Sequence, residues 1–326
     1  MDALYLQLPF SIKLSWFSLM SQCHQNEPIR GGRTFADWFY ATRPWSYPAS
    51  TMPIALTLAY FFAADVPIDV VNAVWALLNI VIFHAAGNVW SDSFDYLYGV
   101  DRHDTHGVRI LSDGKFTARE FVCFSIALFV LGTICALFLV WRTGLPFIAV
   151  TVLGIAAALL YPPLKYRAWG DAVIFIAYTV TPMLAASWIV TGTWTAQALG
   201  AVLPTGILTV GILHANNLRD IATDTRAGIR TLASVLGRSK SVLLYKAELT
   251  AAFVVLVAAV CTGMLPTTTL ISLIAVIPVI SLWKSVSQLR DDDTSVIASL
   301  DAQTAQTQMI FSLLMIAGLC LGAWFF

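Results

Sequence analysis

The chain has 326 residues, 58% of them apolar and only 12% charged, with a net charge of zero and a mean hydropathy of +0.75. Soluble domains carry roughly a quarter charged residues, so half the usual charge is missing, which excludes an ordinary soluble domain and makes lipid the solvent. The neutral balance argues against nucleic acid as a partner.

Residues 1–32 are mixed in character, lack the cationic start and small-residue cleavage site of a signal peptide, and stay unassigned. A single transmembrane domain is expected from 33 to 326. Residues 34–45 (TFADWFYATRPW) read as an amphipathic interfacial helix with aromatic anchors. A membrane helix needs about 20 mostly apolar residues. Nine stretches qualify: 47–64, 70–91, 119–141, 144–162, 171–191, 197–215, 242–263, 267–284 and 308–326. The expected fold is therefore an all-α membrane protein of nine transmembrane helices. Cys23, Cys123, Cys135, Cys261 and Cys320 show no metal-ligand spacing and read as small buried hydrophobes.

Nine spans put the termini on opposite sides and sort the loops into two sets. Every Lys and Arg except Arg142 falls with the N-terminal segment and the loops around 92–118, 163–170, 216–241 and 285–307. Basic residues in short loops mark the cytoplasmic side, so that face is expected to be cytoplasmic.

A repeat runs through the chain. Asn88-x-x-x-Asp92 closes the second span and Asn216-x-x-x-Asp220 closes the sixth. The first is followed by Gly107-Val108-Arg109-Ile110-Leu111, the second by Gly228-Ile229-Arg230-Thr231-Leu232. Four spans separate the copies, an even number, so both polar clusters are expected at one membrane face as a parallel repeat, about 70–118 and 197–241.

Asn88, Asp92 and Asp95 fall at i, i+4 and i+7 on one helical face, with Asp101 and Asp104 beyond. Asn216, Asn217, Asp220 and Asp224 are expected to share a face in the same way. Carboxylates stacked at the end of a membrane helix are costly unless a cation sits among them. Hard oxygen ligands suit magnesium, usually held by one or two carboxylates plus substrate phosphates. The pattern therefore points to a diphosphate bound between two acidic helix ends; the plainer reading is that the aspartates merely face water. Arg43, Arg102, Arg109, Lys115, Lys165, Arg219 and Arg230 lie near enough in sequence to contact diphosphate oxygens, a task for which a guanidinium is well shaped. His84 and His214 read as hydrogen-bonded helix residues, and Asp291-Asp292-Asp293 as a solvated loop.

These residues resemble the UbiA-type intramembrane aromatic prenyltransferases. The likeness rests on Ala41-Thr42-Arg43-Pro44-Trp45, the first Asp motif, Tyr161-Pro162-Pro163-Leu164-Lys165-Tyr166 and the second motif. The form Asn217-Leu218-Arg219-Asp220-Ile221-x-x-Asp224-x-x-x-Gly228-x-x-Thr231-Leu232 looks most like the 1,4-dihydroxy-2-naphthoate polyprenyltransferases of menaquinone synthesis, as does Asp92-x-x-Asp95-x-x-x-Gly99-x-Asp101. Ser91 departs from that branch, which commonly has asparagine there, and Gly107-Val108-Arg109 replaces its usual Pro-Leu-Arg phrase.

The resemblance implies helices around a central cavity open to lipid and capped by cytoplasmic loops. It implies that Asn88, Asp92, Asp95, Asp220 and Asp224 bind Mg2+ and the diphosphate; Asn216, Asn217, Arg43, Arg109, Lys165, Arg219 and Asp101 are the further substrate contacts expected from their place beside the two motifs. The implied partners are a polyprenyl diphosphate, an aromatic small-molecule acceptor and the lipid bilayer, in the plasma (inner) membrane of a prokaryote with the site toward the cytoplasm. Other acceptors (4-hydroxybenzoate, homogentisate, a glycerol phosphate), a membrane terpene cyclase and a secondary transporter remain as alternatives.

Overall fold

The structure, a computed structural model, describes residues 32–100, 110–290 and 294–325. Helix α1 (Phe35–Ala41) opens on a capping box in which Thr34 accepts from the Asp37 amide and Asp37 accepts from the Thr34 amide. A 3-10 turn, Pro44–Ser46, leads into α2 (Pro48–Ala63), which has proline at its first position. Three helices follow: α3 (Val70–Leu97), α4 (Ala118–Thr143) and α5 (Phe147–Lys165). Helix α6 (Gly170–Thr191) widens at Ile176–Val180 into a π-helical turn. Then come α7 (Leu199–Arg219), the short α8 (Ile221–Arg226) and α9 (Leu232–Leu236), and α10 (Arg238–Cys261). The last two are α11 (Thr267–Ser287), 3-10 in its first half, and α12 (Leu300–Phe325).

Among the described residues, eight helices are long and apolar enough to cross a bilayer, which makes this an integral membrane protein. The ninth expected span, α2, has 16 residues, about 24 Å at 1.5 Å per residue; the preceding 3-10 turn lengthens it. The membrane character is also visible from outside. Large side chains such as Leu137, Leu243 and Ile277 are 56%, 70% and 71% exposed, as lipid-facing positions should be. The same inversion corrects the expectation of buried cysteines. Cys135 is buried, but Cys123 and Cys261 are exposed, because a membrane offers an apolar outside that suits a thiol as well as the core does.

Span ends move in a way that matters for function. Helix α3 continues six residues past the expected end at 91, so the whole first motif is helical. Helix α12 begins at Leu300, two turns before the expected 308, which carries Asp301 into the bundle. Polar residues lowered the apparent hydropathy of both ends: Asn88, Asp92 and Asp95 in α3, and Asp301 and three glutamines in α12.

Helix α7 is the most buried span. Its small residues Gly200, Ala201, Gly206, Gly211 and Ala215 let other helices approach closely, the usual source of cohesion where lipid competes for apolar surface. Leu208 and Leu218 on α7 pack with Tyr245, Leu249 and Leu256 of α10 and Phe311, Met315 and Leu319 of α12 in one core. Across the bundle, α3 packs against α4 and α5, with the Phe83 ring lying 3.0 Å from where a Cβ on Gly132 would be. Between these halves lies a cavity.

The α6–α7 approach gives a sharp test. A Cβ on Gly206 would collide with Cγ2 of Thr179, a buried residue in the π turn. Gly206→Ala is expected to cost about 1–3 kcal/mol of stability by overpacking, read as a lower melting temperature of the detergent-purified protein. Adding Thr179→Ala should recover most of it; no loss in the single variant would refute the close contact.

Candidate active site

The cavity has a volume of about 530 Å³ and is lined by α2, α3, α5, α6 and α7 and by the start of α12. One end is apolar, with Ile54, Ile80, Phe83, Phe147, Val150 and Pro182. The other end is where the two Asp motifs meet: Asn88, Asp95, Asn216, Asp220 and Asp224 all line it, together with Arg43, Lys165 and Arg219.

The first motif is built on the last turns of α3. Asn88 Nδ2 donates to the Thr42 carbonyl and to Ser46 Oγ, both at 3.0 Å, which ties the motif to the turn before α2. Arg43 on that turn reaches Asp92 Oδ1 at 2.5 Å. It does so from a left-handed backbone (φ 54°, ψ 59°) directly before a proline, a strained state of the sort that persists where its surroundings fix it. Asp92 itself is only 3% exposed. Its second oxygen, Oδ2, is buried with no hydrogen-bond partner. Asp95 accepts from Lys165 Nζ at 3.1 Å and from Tyr166 Oη at 2.7 Å.

The second motif is not one helix. α7 ends at Arg219 and α8 begins at Ile221, with Asp220 at the joint. The bond from the Asp224 amide to the Asp220 carbonyl (2.8 Å) bridges the break, so Asn216, Asp220 and Asp224 still face the cavity. Asn217 does not join them. It is 2% exposed on the core side of α7, about 100° round the helix from Asn216.

Arg219, expected to face substrate, is held by the protein. Its Nε and Nη2 fork onto the Asp220 carboxylate at 2.9 and 2.8 Å, Nη2 also reaches Asn216 Oδ1 at 2.6 Å, and Nη1 reaches Asp301 Oδ2 at 2.9 Å. It sets the orientation of the second motif while lining the cavity. Lys115 is spent on Asp37, fastening α1. Asp101, Arg102, Asp104 and Arg109 lie outside the described residues, as do Asp291, Asp292 and Asp293.

A model of the UbiA prenyltransferase family matches residues 51–314. The chain belongs to the UbiA prenyltransferase family. It is 33% identical over 216 residues to UbiA prenyltransferase domain-containing protein 1 of Gallus gallus, covering 64% of this chain and 65% of that protein. It is 29% identical over 292 residues to the protein of that name from Homo sapiens, covering 88% and 84%. The chain thus spans about 65% of the length of the first of these relatives. Among solved structures it is similar to digeranylgeranylglyceryl phosphate synthase (TM-score 0.58, 19% identity, 87% of this chain and 98% of that one). It is also similar to a UbiA homologue from Archaeoglobus fulgidus bound to GPP and Mg2+ (TM-score 0.57, 15% identity, 86% and 99%). At these identities the structural likeness shows the fold.

Within this UbiA-family chain, three residues take part in the site that the sequence did not single out. Tyr166 donates its hydroxyl to Asp95, and its carbonyl accepts from the Arg230 amide at 3.1 Å. Thr231, next in chain, donates to Asp224 Oδ2 at 3.1 Å. The C-terminal end of α5 at 161–166 therefore joins both motifs, and the motif phrases containing Tyr166 and Thr231 were the available signal. The third, Asp301, could not be found from sequence, since nothing marks it as belonging with Arg219. His84 is hydrogen-bonded, as expected, to Ser46 Oγ (3.1 Å) and Ser50 Oγ (2.7 Å), and it stacks on Tyr178 in the cavity wall.

Proposed function

We propose that this chain transfers a polyprenyl group from a prenyl diphosphate to an aromatic acceptor, in a magnesium-dependent reaction at the polar end of the cavity. The observation that carries the reading is the meeting of two acidic motifs and three basic side chains at one end of a chamber whose other end is apolar. That is the shape of an amphiphile with an anionic head. The fit to a divalent cation is favourable: the hard carboxylate and amide oxygens of Asn88, Asp95, Asn216, Asp220 and Asp224 line one end of the cavity, while Asp92 is buried beside them without lining it and has one oxygen, Oδ2, without a partner. The Archaeoglobus fulgidus homologue, bound to GPP and Mg2+, supports the same pairing of prenyl diphosphate with magnesium.

Asn88, Asp92, Asp95, Asp220 and Asp224 would hold the metal. Magnesium, when bound, offsets negative charge growing on the departing diphosphate. Arg43 and Lys165 stand beside it as further counter-charge. The apolar walls exclude water from the allylic cation left when the C–O bond ionises, and an electron-rich ring carbon of the acceptor captures it. Tyr161 and Tyr178, both in the wall, offer ring faces to an aromatic acceptor. The phrase from Asn217 to Leu232 favours 1,4-dihydroxy-2-naphthoate, with its carboxylate leaving as carbon dioxide and the diphosphate as the leaving group, to give the hydroquinone demethylmenaquinol. The two motifs act in this reading as halves of a parallel repeat, and the basic loops beside them support a position on the cytoplasmic side. The cytoplasmic side is proposed from those loops alone, and relatives from animals carry no argument for the plasma membrane of a prokaryote.

The test is the product. Purified protein given labelled prenyl diphosphate and each candidate acceptor should release diphosphate only with Mg2+, and the naphthoate product should have lost carbon dioxide. Turnover with a glycerol phosphate or 4-hydroxybenzoate alone would move the assignment to another branch, and no diphosphate release with any acceptor would overturn it.

A pH dependence follows. Burial pushes the Asp224 carboxyl up to about 7, outweighing the nearby Lys165 charge and the Thr231 hydrogen bond, which act downward. Only the carboxylate ligates a metal, so below about pH 7 protons compete with Mg2+. The Mg2+ concentration for half-maximal rate is expected to rise about tenfold per pH unit on the acid side and to level off above about pH 8. The same profile in Asp224→Asn would show that another group titrates.

A further inference from the structure

Behind the second motif, on the face of α7 turned away from the cavity, three ligating side chains converge that the prenyl-transfer reading does not use. Asp171 comes from the first turn of α6, His214 from α7 and Glu248 from α10. His214 Nδ1 lies 3.7 Å from Asp171 Oδ1 and 3.8 Å from Glu248 Oε1, and one ligand atom from each residue falls within 4.8 Å of the others. His214 is fully buried. None of the three residues lines the cavity.

The hydrogen bonding settles what faces what. His214 Nε2 is 3.1 Å from the Ser241 carbonyl. A carbonyl only accepts, so Nε2 carries the proton, and in the neutral ring the Nδ1 lone pair points at the two carboxylates. Nδ1, both Asp171 oxygens and Glu248 Oε2 are buried with no hydrogen-bond partner. Among the described residues no lysine or arginine pairs with either acid. Three electron-pair donors facing one another in a membrane bundle require a proton or a metal cation between them.

We propose that Asp171, His214 and Glu248 bind a divalent transition metal of the zinc class, fastening α6 and α10 to the helix that carries Asn216 and ends at Asp220. One imidazole and two carboxylates are a donor set for such an ion, and the Nε2–H bond to a backbone carbonyl is the usual way a protein fixes a metal-binding tautomer. Bonds of about 2.0–2.1 Å in a tetrahedron place neighbouring ligand atoms about 3.3–3.4 Å apart. The observed 3.7 and 3.8 Å close to that with shifts of a few tenths of an ångström. Three protein ligands leave a fourth position for water or a second carboxylate oxygen.

The experiment uses the full chain in detergent, stripped with chelator, reloaded with one equivalent of Zn2+ or Co2+ and desalted. Wild type should retain about one zinc per chain, and its cobalt form should show the visible absorption of a tetrahedral site. Glu248→Gln, close to isosteric, should lose at least about tenfold in affinity along with the absorption band, whereas Asp220→Ala should keep both. A wild type that retains no metal and shows no cobalt band would overturn the proposal in favour of a protonated His214 bridging the acids. So would a Glu248→Gln variant that binds as wild type does. Either result leaves the prenyl-transfer reading untouched, because its Mg2+ dependence is measured separately.

Discussion

Asp92→Ala and Asp220→Ala are each expected to lower prenyl transfer by about 10²–10³-fold while leaving the protein folded; loss of a single preorganised group at a reacting centre commonly costs that much. The variants remove one acid from each motif, so both should fail if the motifs act as halves of one site. The fold tolerates both. Arg43 loses the Asp92 carboxylate in Asp92→Ala, but its side chain is 30% exposed and can be hydrated. Arg219 in Asp220→Ala keeps Asn216 and Asp301. Turnover of labelled prenyl diphosphate, together with a monodisperse elution profile, is the measurement. A variant of either kind with near-full activity would remove that acid from the site.

Lys165→Met should have the largest effect on stability. Lys165 and Asp95 are both nearly inaccessible and 3.1 Å apart. Taking away one member of such a pair strands the other, at a cost of about 3–5 kcal/mol. The Tyr166 hydroxyl remains on Asp95, a neutral donor that cannot replace an ammonium. Asp95→Asn added to Lys165→Met should recover much of the stability, because the buried charge is then gone, yet activity should stay lost. Melting temperatures of the detergent-purified single and double variants decide it. If Lys165→Met melts as wild type does, the pair is open to water and the cavity is wetter than described.

Much of this was legible in the sequence for physical reasons that do not depend on tertiary detail. Long apolar runs can only be spans, and aspartates four and seven residues after Asn88 can only share a helical face. What failed to show was the fate of polar residues that find partners across the bundle. Asn217 sits in the same run as Asn216, but a step of about 100° turns it into the core. Arg219 reads as a free cation, whereas Asp301, 82 residues away, completes a cage around it. The break at Asp220 has no proline or glycine to announce it. Asp171, His214 and Glu248 lie on three separate helices, so no spacing rule could assemble them.

Tyr166 gives its side chain to one acidic motif and its backbone to the loop holding the other. A residue used in this way cannot move for one half of the site alone. Whatever reorganises the Asp95 side should be felt at Asp224 as a change in affinity, and the reverse change must be equal in size. Cation and diphosphate would then load as coupled ligands. Titrating Mg2+ with and without a non-hydrolysable prenyl diphosphate analogue would measure that coupling, and identical curves would show that the joint transmits nothing.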